Sequence, residues 1–211
     1  MTSFSEIIEL NRKQEVSEID PFTERRYKQF VRHLPPHAHD VLDVGCNTGR
    51  GGVVMKTLRP GLRITGLDCV PERVEALDPK IYDARICDFT QSISSPSDRF
   101  DAIVAGEFIE HLPPDQVDST LCEFFRVLRL RGRLLLTTPN PRYVKHSLQR
   151  TSVLGGAHIS QHYIGSLRRR LAAVGFSAIT VRGSGRVSSM LGEHFPLRAV
   201  YGSYLAYASK W

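Results

Sequence analysis

The four cysteines of this 211-residue chain contain no CxxC pair, and the sequence has no internal repeat and no low-complexity tract. No apolar run approaches the ~20 residues needed to cross a bilayer, which argues against a spanning helix. The first residues have no cationic start followed by an apolar core, so they are not read as a secretory signal. Without paired spacing, Cys46, Cys69, Cys87 and Cys122 suggest neither a thiol metal site nor a redox pair. Cys46, Cys69 and Cys87 each fall near an expected strand end, where a small buried thiol is sufficient explanation. A reducing, cytoplasmic setting is the expectation.

What is present reads as one soluble globular unit. Hydrophobic residues make up 41% and charged residues 24%, enough for a full core. The net charge of +6 permits acidic partners without establishing them. The one dense basic run, Arg168-Arg169-Arg170, falls on an expected helix and reads as a solvated face. A homodimer is left open.

The densest local signal is VLDVGCNTGRGG, residues 41–52. An apolar run, 41–44, reads as a buried parallel strand. It stops at Gly45, a turn with Gly49, Gly51 and Gly52 follows, and a helical run begins at Val53. Glycine lets a backbone approach a ligand closely, and a helix start offers free N–H groups. Together these predict a nucleotide-type cofactor site.

Further strands are expected at 63–67, 85–87, 101–105, 133–138, 178–182 and 201–208. Helices are expected at 4–16, 22–33, 51–58, 115–128 and 160–173, with a short one opened by Pro71 and with Gly175 capping the last. The alternation implies a mostly parallel sheet with helices on both faces, and ligands bind beyond the carboxyl ends of its strands. The segments that follow the strands therefore matter most.

A GxGxxG frame beginning at Gly45 needs glycine at position 47, which is Asn47. That counts against a dinucleotide. Asp68 ends the second strand, placed to accept from both ribose hydroxyls. Asp88 and Phe89 end the third, suited to an adenine amino group with a ring beside the base. Asp43 has a turn-stabilising role as its alternative.

From about residue 40 to the end, the chain resembles the class I S-adenosylmethionine-dependent methyltransferases. The resemblance rests on DVGCNTGRG, GLDCV, CDF, FDAIVAGEFIEHL, RVLRLRGRLLLTTPNP and the closing GFSAITVRG…YLAYASK. It implies a Rossmann-like seven-stranded sheet with a reversed terminal strand. A helical cap over residues 1–36 precedes a methyltransferase domain over 37–211. It also implies S-adenosylmethionine as cofactor. Asp43, Gly45, Cys46, Asn47 and Gly49 are expected around its methionine part, with Asp68 and Cys69 at the ribose and Asp88 and Phe89 at the adenine. Glu107 is expected at the donor as well. Asn47 departs from the family's usual glycine, but asparagine tolerates the left-handed conformation.

After the fourth strand the sequence is Gly106-Glu107-Phe108-Ile109-Glu110-His111, not the Asn/Asp-Pro-Pro-Tyr type found in many nitrogen methylators of this fold. Glu107, Glu110 and His111 are spaced i, i+3 and i+4. A helical turn starting at Glu107 projects all three to one side. Two carboxylates and an imidazole suit a divalent cation such as Mg²⁺ or Mn²⁺. ExxEH is similar to the metal motif of O-methyltransferases acting on ubiquinone-precursor phenols or on the terminal 2′-hydroxyl of small RNAs. The latter also carry a TPN, here Thr138-Pro139-Asn140, and a downstream histidine ligand. His158 matches that ligand best and His162 is the runner-up. Glu107, His111 and His158 are the expected catalytic residues. Acidic residues are also favoured at any helix start, and a histidine can be a satisfied core residue.

No RNA-binding module is recognisable, which disfavours nucleic acid as partner. No convincing amphipathic membrane helix serves a lipid-tailed substrate. A sugar or oligosaccharide hydroxyl is the favoured acceptor, because the polar, basic loop after the fifth strand and the flexible loop after the sixth suit an open cleft. Tyr143 would serve there as a stacking platform. In length and motif style the chain is similar to bacterial glycan O-methyltransferases. The alternatives are a phenol or catechol, an RNA 2′-hydroxyl, or a cofactor-binding protein without catalysis.

Overall fold

A computed structural model describes residues 4–12 and 20–211. Seven strands form one sheet in the order β3-β2-β1-β4-β5-β7-β6. They are β1 (Asp40–Val44), β2 (Arg63–Asp68), β3 (Ala84–Cys87), β4 (Phe100–Gly106), β5 (Leu128–Pro139), β6 (Ser177–Ser184) and β7 (Ser203–Ser209). β1 pairs in parallel with β2 and β4, β2 with β3, and β4 with β5. β7 runs antiparallel to both β5 and β6, so it is the reversed strand. All five residues of β1 are buried, as a central strand covered on both faces requires.

The described helices are α1 (Phe4–Arg12), α2 (Thr23–His33), α3 (Arg50–Leu58), α4 (Pro71–Glu75), α5 (Val117–Val127), α6 (Val144–Gln149), α7 (Ile164–Val174) and α8 (Arg186–Leu191). Of the helix expected over 4–16, residues 13–16 lie outside those described. Two hydrophobic clusters cover the sheet faces. One gathers Leu121, Phe124, Leu167 and Leu171 from α5 and α7. The other gathers Tyr27, Phe30 and Met55 from α2 and α3. The expected C-cap is present: Gly175 has φ 111° and closes α7.

Several expectations shift. β5 starts at Leu128 instead of 133: Leu128 pairs with Phe100 and Arg133 with Ala102, so residues 129–132 bulge between the two pairings. α7 starts at Ile164, because the Ile159 and Ser160 N–H groups donate to the Glu110 carbonyl at 2.9 and 3.0 Å instead of starting a helix. The segments expected as plain loops carry α6 and α8. Cys46 is buried, but Cys87 is exposed on edge strand β3, so burial does not explain it. Arg168 and Arg169 are exposed and Arg170 pairs with Asp118 at 2.6 Å, a solvated helix face. No helix among the described residues is long and apolar enough to cross a membrane.

Candidate active site

The turns after β1, β2, β3 and β4 open into one cavity of about 1150 Å³ at the carboxyl edge of the sheet. Its first half is built on the glycine turn. Gly45 has φ 63° and Gly49 φ 82°, both left-handed. A Cβ on Gly45 would stand 2.8 Å from Phe108, so that position tolerates no side chain without movement. Asn47 also adopts the left-handed region, with φ 49°, which accounts for asparagine in place of glycine. The turn is pinned to the neighbouring strand: Gly45 N and Cys46 N donate to the Leu67 carbonyl at 2.8 and 3.2 Å.

Asp68 meets the same turn from β2. Its Oδ2 accepts from Asn47 N and its Oδ1 from Val70 N, each at 3.0 Å. Burial raises its pKa, and the backbone donors and Arg73 oppose that rise. Asp68, Cys69, Asp88 and Phe89 all line the cavity, along with Gly45, Cys46 and Asn47. Asp88 Oδ2 accepts from Ser94 N at 2.7 Å, which fixes the carboxylate at its strand end.

Asp43 is placed differently. It is fully buried beneath the turn and does not line the cavity. Tyr27 Oη donates to its Oδ1 at 2.6 Å and Tyr82 Oη to its Oδ2 at 2.7 Å. Both carboxylate oxygens are thus engaged inside the protein, beneath the turn. Burial pushes its pKa up to about 6 against the pull of the two tyrosines. Gly49, which also stands outside the cavity lining, packs with its Cβ position 2.9 Å from the Tyr82 ring.

The second half of the cavity follows β4 and β5. The expected helical turn from Glu107 does not form. Glu107 itself is left-handed at φ 51°, and the helical residues are Ile109–His111, a single 3₁₀ turn. Glu107 is not part of the cluster that Glu110 and His111 form with His158, although its charge reaches Glu110. Its carboxylate lies 3.9 Å from Arg26 Nε, and Ser203 Oγ donates to it at 3.3 Å.

Glu110, His111 and His158 converge instead. One ligand atom from each lies within 4.8 Å of the others. His111 Nδ1 is 2.9 Å from the Ala157 carbonyl and His158 Nδ1 is 3.1 Å from the Val153 carbonyl. A carbonyl only accepts, so Nδ1 of each ring is assigned the N–H in these two contacts. Burial, and then His158, lower the His111 pKa to about 4, which keeps that ring neutral. Glu110 is fully buried; Thr138 Oγ1 donates to its Oε2 at 3.0 Å, and its Oε1 accepts no hydrogen bond. Burial, and then Glu107, raise its pKa well above the usual carboxylate range.

A buried carboxylate with one unsatisfied oxygen beside two oriented imidazoles is a donor set suited to a divalent cation. Three such donors would leave positions on a bound cation open for a second ligand. Glu107 stands outside the group, so the expected set of four is reduced to three. His162, the runner-up, is buried behind the site with Nε2 at 3.2 Å from the Ile109 carbonyl and 3.0 Å from Ser160 Oγ. It does not line the cavity.

Sequence reasoning did not find Arg26, Tyr27, Tyr82 or the carbonyls of residues 153 and 157. One signal was available: an aspartate inside an apolar central strand needs buried donors, and tyrosines supply them. Arg26 also pairs with Asp20 at 3.1 Å.

The family profile described as "Methyltransferase domain" matches residues 18–181. The chain belongs to this family. It is a class I S-adenosylmethionine-dependent methyltransferase domain, and the donor fits the residues present. The turn at Gly45 admits no Cβ, Asp68 and Asp88 line that half from the ends of two adjacent strands, and no GxGxxG is present. Among curated proteins it is 30% identical over 118 residues to the mouse mitochondrial ubiquinone biosynthesis O-methyltransferase, covering 51% of this chain and 30% of that protein. It is 28% identical over 145 residues to a malonyl-[acyl-carrier protein] O-methyltransferase of Laribacter hongkongensis, covering 63% of this chain and 47% of that one. The chain thus spans from under a third to about half of these relatives. A solved S-adenosylmethionine-dependent methyltransferase of Thermotoga maritima, described as a possible histamine N-methyltransferase, superposes with a TM-score of 0.74. It is 15% identical, covers 97% of this chain and 100% of that one, and bears on the fold alone.

Proposed function

We propose that this domain is an O-methyltransferase acting on a hydroxyl of a sugar or oligosaccharide, assisted by a divalent cation held by Glu110, His111 and His158. The convergence of those three residues on the same cavity as the glycine turn carries this reading. Gly45, Cys46 and Asn47 would hold the methionine part of the donor, Asp68 and Cys69 the ribose, and Asp88 with Phe89 the adenine. Glu107, beside Arg26 and Ser203, stands between the two halves, where it would orient both reactants. The N-terminal segment, residues 1–36, would act as a cap, reaching the cavity through Arg26 and Tyr27, over a catalytic unit of residues 37–211.

Bound S-adenosylmethionine supplies a methyl group activated by a sulfonium. A cation at the three-residue cluster would lower the pKa of an acceptor hydroxyl. The imidazoles can also take the proton themselves: with Nδ1–H tied to a carbonyl, His111 or His158 receives it at Nε2. The acceptor oxygen then forms a bond to the methyl carbon as the carbon–sulfur bond breaks, a step that depends mainly on in-line positioning. The missing Asn/Asp-Pro-Pro-Tyr type signature after β4 supports oxygen over nitrogen. So do the two O-methyltransferases among the relatives. The polar walls containing Tyr143 and His146 support a polyol.

The likeness to a ubiquinone biosynthesis O-methyltransferase favours one other reading, a phenolic acceptor at the same cluster. Incubation with labelled donor and fractionated glycans, phenols and RNA, with Mg²⁺, Mn²⁺ or EDTA, separates these. Label in the glycan fraction that EDTA abolishes supports the proposal. Label in phenols selects the second reading, and label in RNA overturns both.

A further inference from the structure

Charge is sorted unequally inside the cavity. Arg26 pairs with Asp20 and stands 3.9 Å from Glu107, Arg73 stands 4.0 Å from Asp68, and Arg50 donates to the Asp20 carbonyl. Lys145 and Arg186 also line the cavity, but neither has a carboxylate partner among the described residues. They come from the two segments that flank the acceptor half. Residues 140–163 contain Arg142, Lys145 and Arg150 and no acid, and residues 185–202 contain Arg186 and Arg198 with one acid, Glu193. Glu193 is turned away from the cavity. Its carboxylate is held by Gln29 at 3.1 Å, Arg32 at 3.1 Å and His33 at 2.7 Å on α2.

The two segments are in contact and both line the cavity. α6 packs on the turn Arg198–Val200, and Asn140 Nδ2 donates to the carbonyls of Arg198 and Tyr201 at 3.1 and 2.8 Å. His146 lines the cavity beside Lys145, with Nδ1 2.9 Å from Thr151 Oγ1. A cleft wall of one sign focuses its field on a ligand of the other. The donor is itself a cation, so a cationic acceptor wall disfavours a second positive ligand and favours a hydroxylated ligand that also carries negative charge. Lysine offers a compact charge and arginine a planar fork, the two ways proteins grip oxyanions.

We propose that the acceptor carries a phosphate or carboxylate group, bound by Lys145 and Arg186 with His146 beside them. The proposal rests on the methyl-transfer reading for the word acceptor, but the anion site is testable without turnover.

The test is an NMR titration of the full chain loaded with S-adenosylhomocysteine. The probes are inorganic phosphate, glucose 6-phosphate, glucuronate and glucose. Saturable shifts at residues 143–146 and 185–187 are expected with the anions, weakening as salt rises. Glucose should bind at least tenfold more weakly. Tighter binding of glucose 6-phosphate than glucuronate assigns a phosphate, and the reverse a carboxylate. The double variant Lys145→Glu/Arg186→Glu should lose anion binding at least tenfold while keeping its S-adenosylhomocysteine affinity. Shifts confined to Arg50 and Arg73, no shifts at all, or unchanged binding by the double variant overturn the proposal. Anion binding without methylation of any hydroxylated compound would count against the functional reading and leave this site standing.

Discussion

Tyr27 Oη donates to Asp43 Oδ1 at 2.6 Å, joining α2 to the strand that carries the cofactor turn. α2 is therefore part of the donor site's support, although it precedes the sheet. Tyr27→Phe removes this donor and leaves a buried carboxylate oxygen unsatisfied, at a cost of about 1–3 kcal/mol. Chemical denaturation should report that loss, with weaker S-adenosylmethionine binding by calorimetry. A variant as stable as the parent would show that the bond contributes little.

Asp43 gives stability a distinctive pH dependence. Its folded pKa is raised from 3.8 to about 6, so the fold prefers the protonated form. The associated stability is present below pH 3.8 and is lost as pH rises through about 6. Two pH units correspond to on the order of 2–3 kcal/mol. The difference in unfolding free energy between the parent and Asp43→Asn should move against the parent across that window and stay flat above it. A difference that does not change with pH would contradict this account.

The close fit of Tyr27 against α3 sets a second sensitivity. A Cβ at Gly51 would lie 2.0 Å from the Tyr27 ring, whereas one at Gly61 meets nothing within 4 Å. Gly51→Ala should destabilise the chain by about 1–3 kcal/mol through overpacking. Gly61→Ala should leave the melting temperature nearly unchanged. Equal melting temperatures for the two variants would refute the packing argument.

Glu107 and His158 separate in a cation-binding measurement. His158→Ala removes a proposed ligand and should weaken Mn²⁺ binding by at least about tenfold, since even supporting residues around a metal cost that much. Glu107→Gln should leave Mn²⁺ affinity within a few-fold of the parent, because its carboxylate lies outside the cluster. Calorimetry on the donor-loaded protein checks both. A larger loss for Glu107→Gln would restore the four-residue set read from spacing alone.

Much of this site was legible in the sequence because each feature was local. The turn at Gly45 and Gly49 and the strand-end acids Asp68 and Asp88 follow directly from strand ends in a parallel sheet. The conformation of Glu107 was not legible. An i, i+3, i+4 spacing assumes a helix, but hydrogen bonds from Glu107 N to the Thr137 carbonyl and hydroxyl hold that residue left-handed at the end of β4. The role of Asp43 depended on Tyr27 and Tyr82, which are 16 and 39 residues away and reach it only through tertiary packing. His158 was legible as the better match by position, whereas the burial of His162 against the Ile109 carbonyl depends on tertiary packing.

The most direct measurement is the identity of the atom that receives the methyl group. The protein is incubated with labelled S-adenosylmethionine and hydroxylated glycans, and the product linkage is determined by mass spectrometry and NMR. The account predicts a methyl ether on a glycan oxygen, formed by the parent and lost in the His111→Ala/His158→Ala variant with donor binding retained. Label on nitrogen or carbon, or equal product from the double variant, would contradict it.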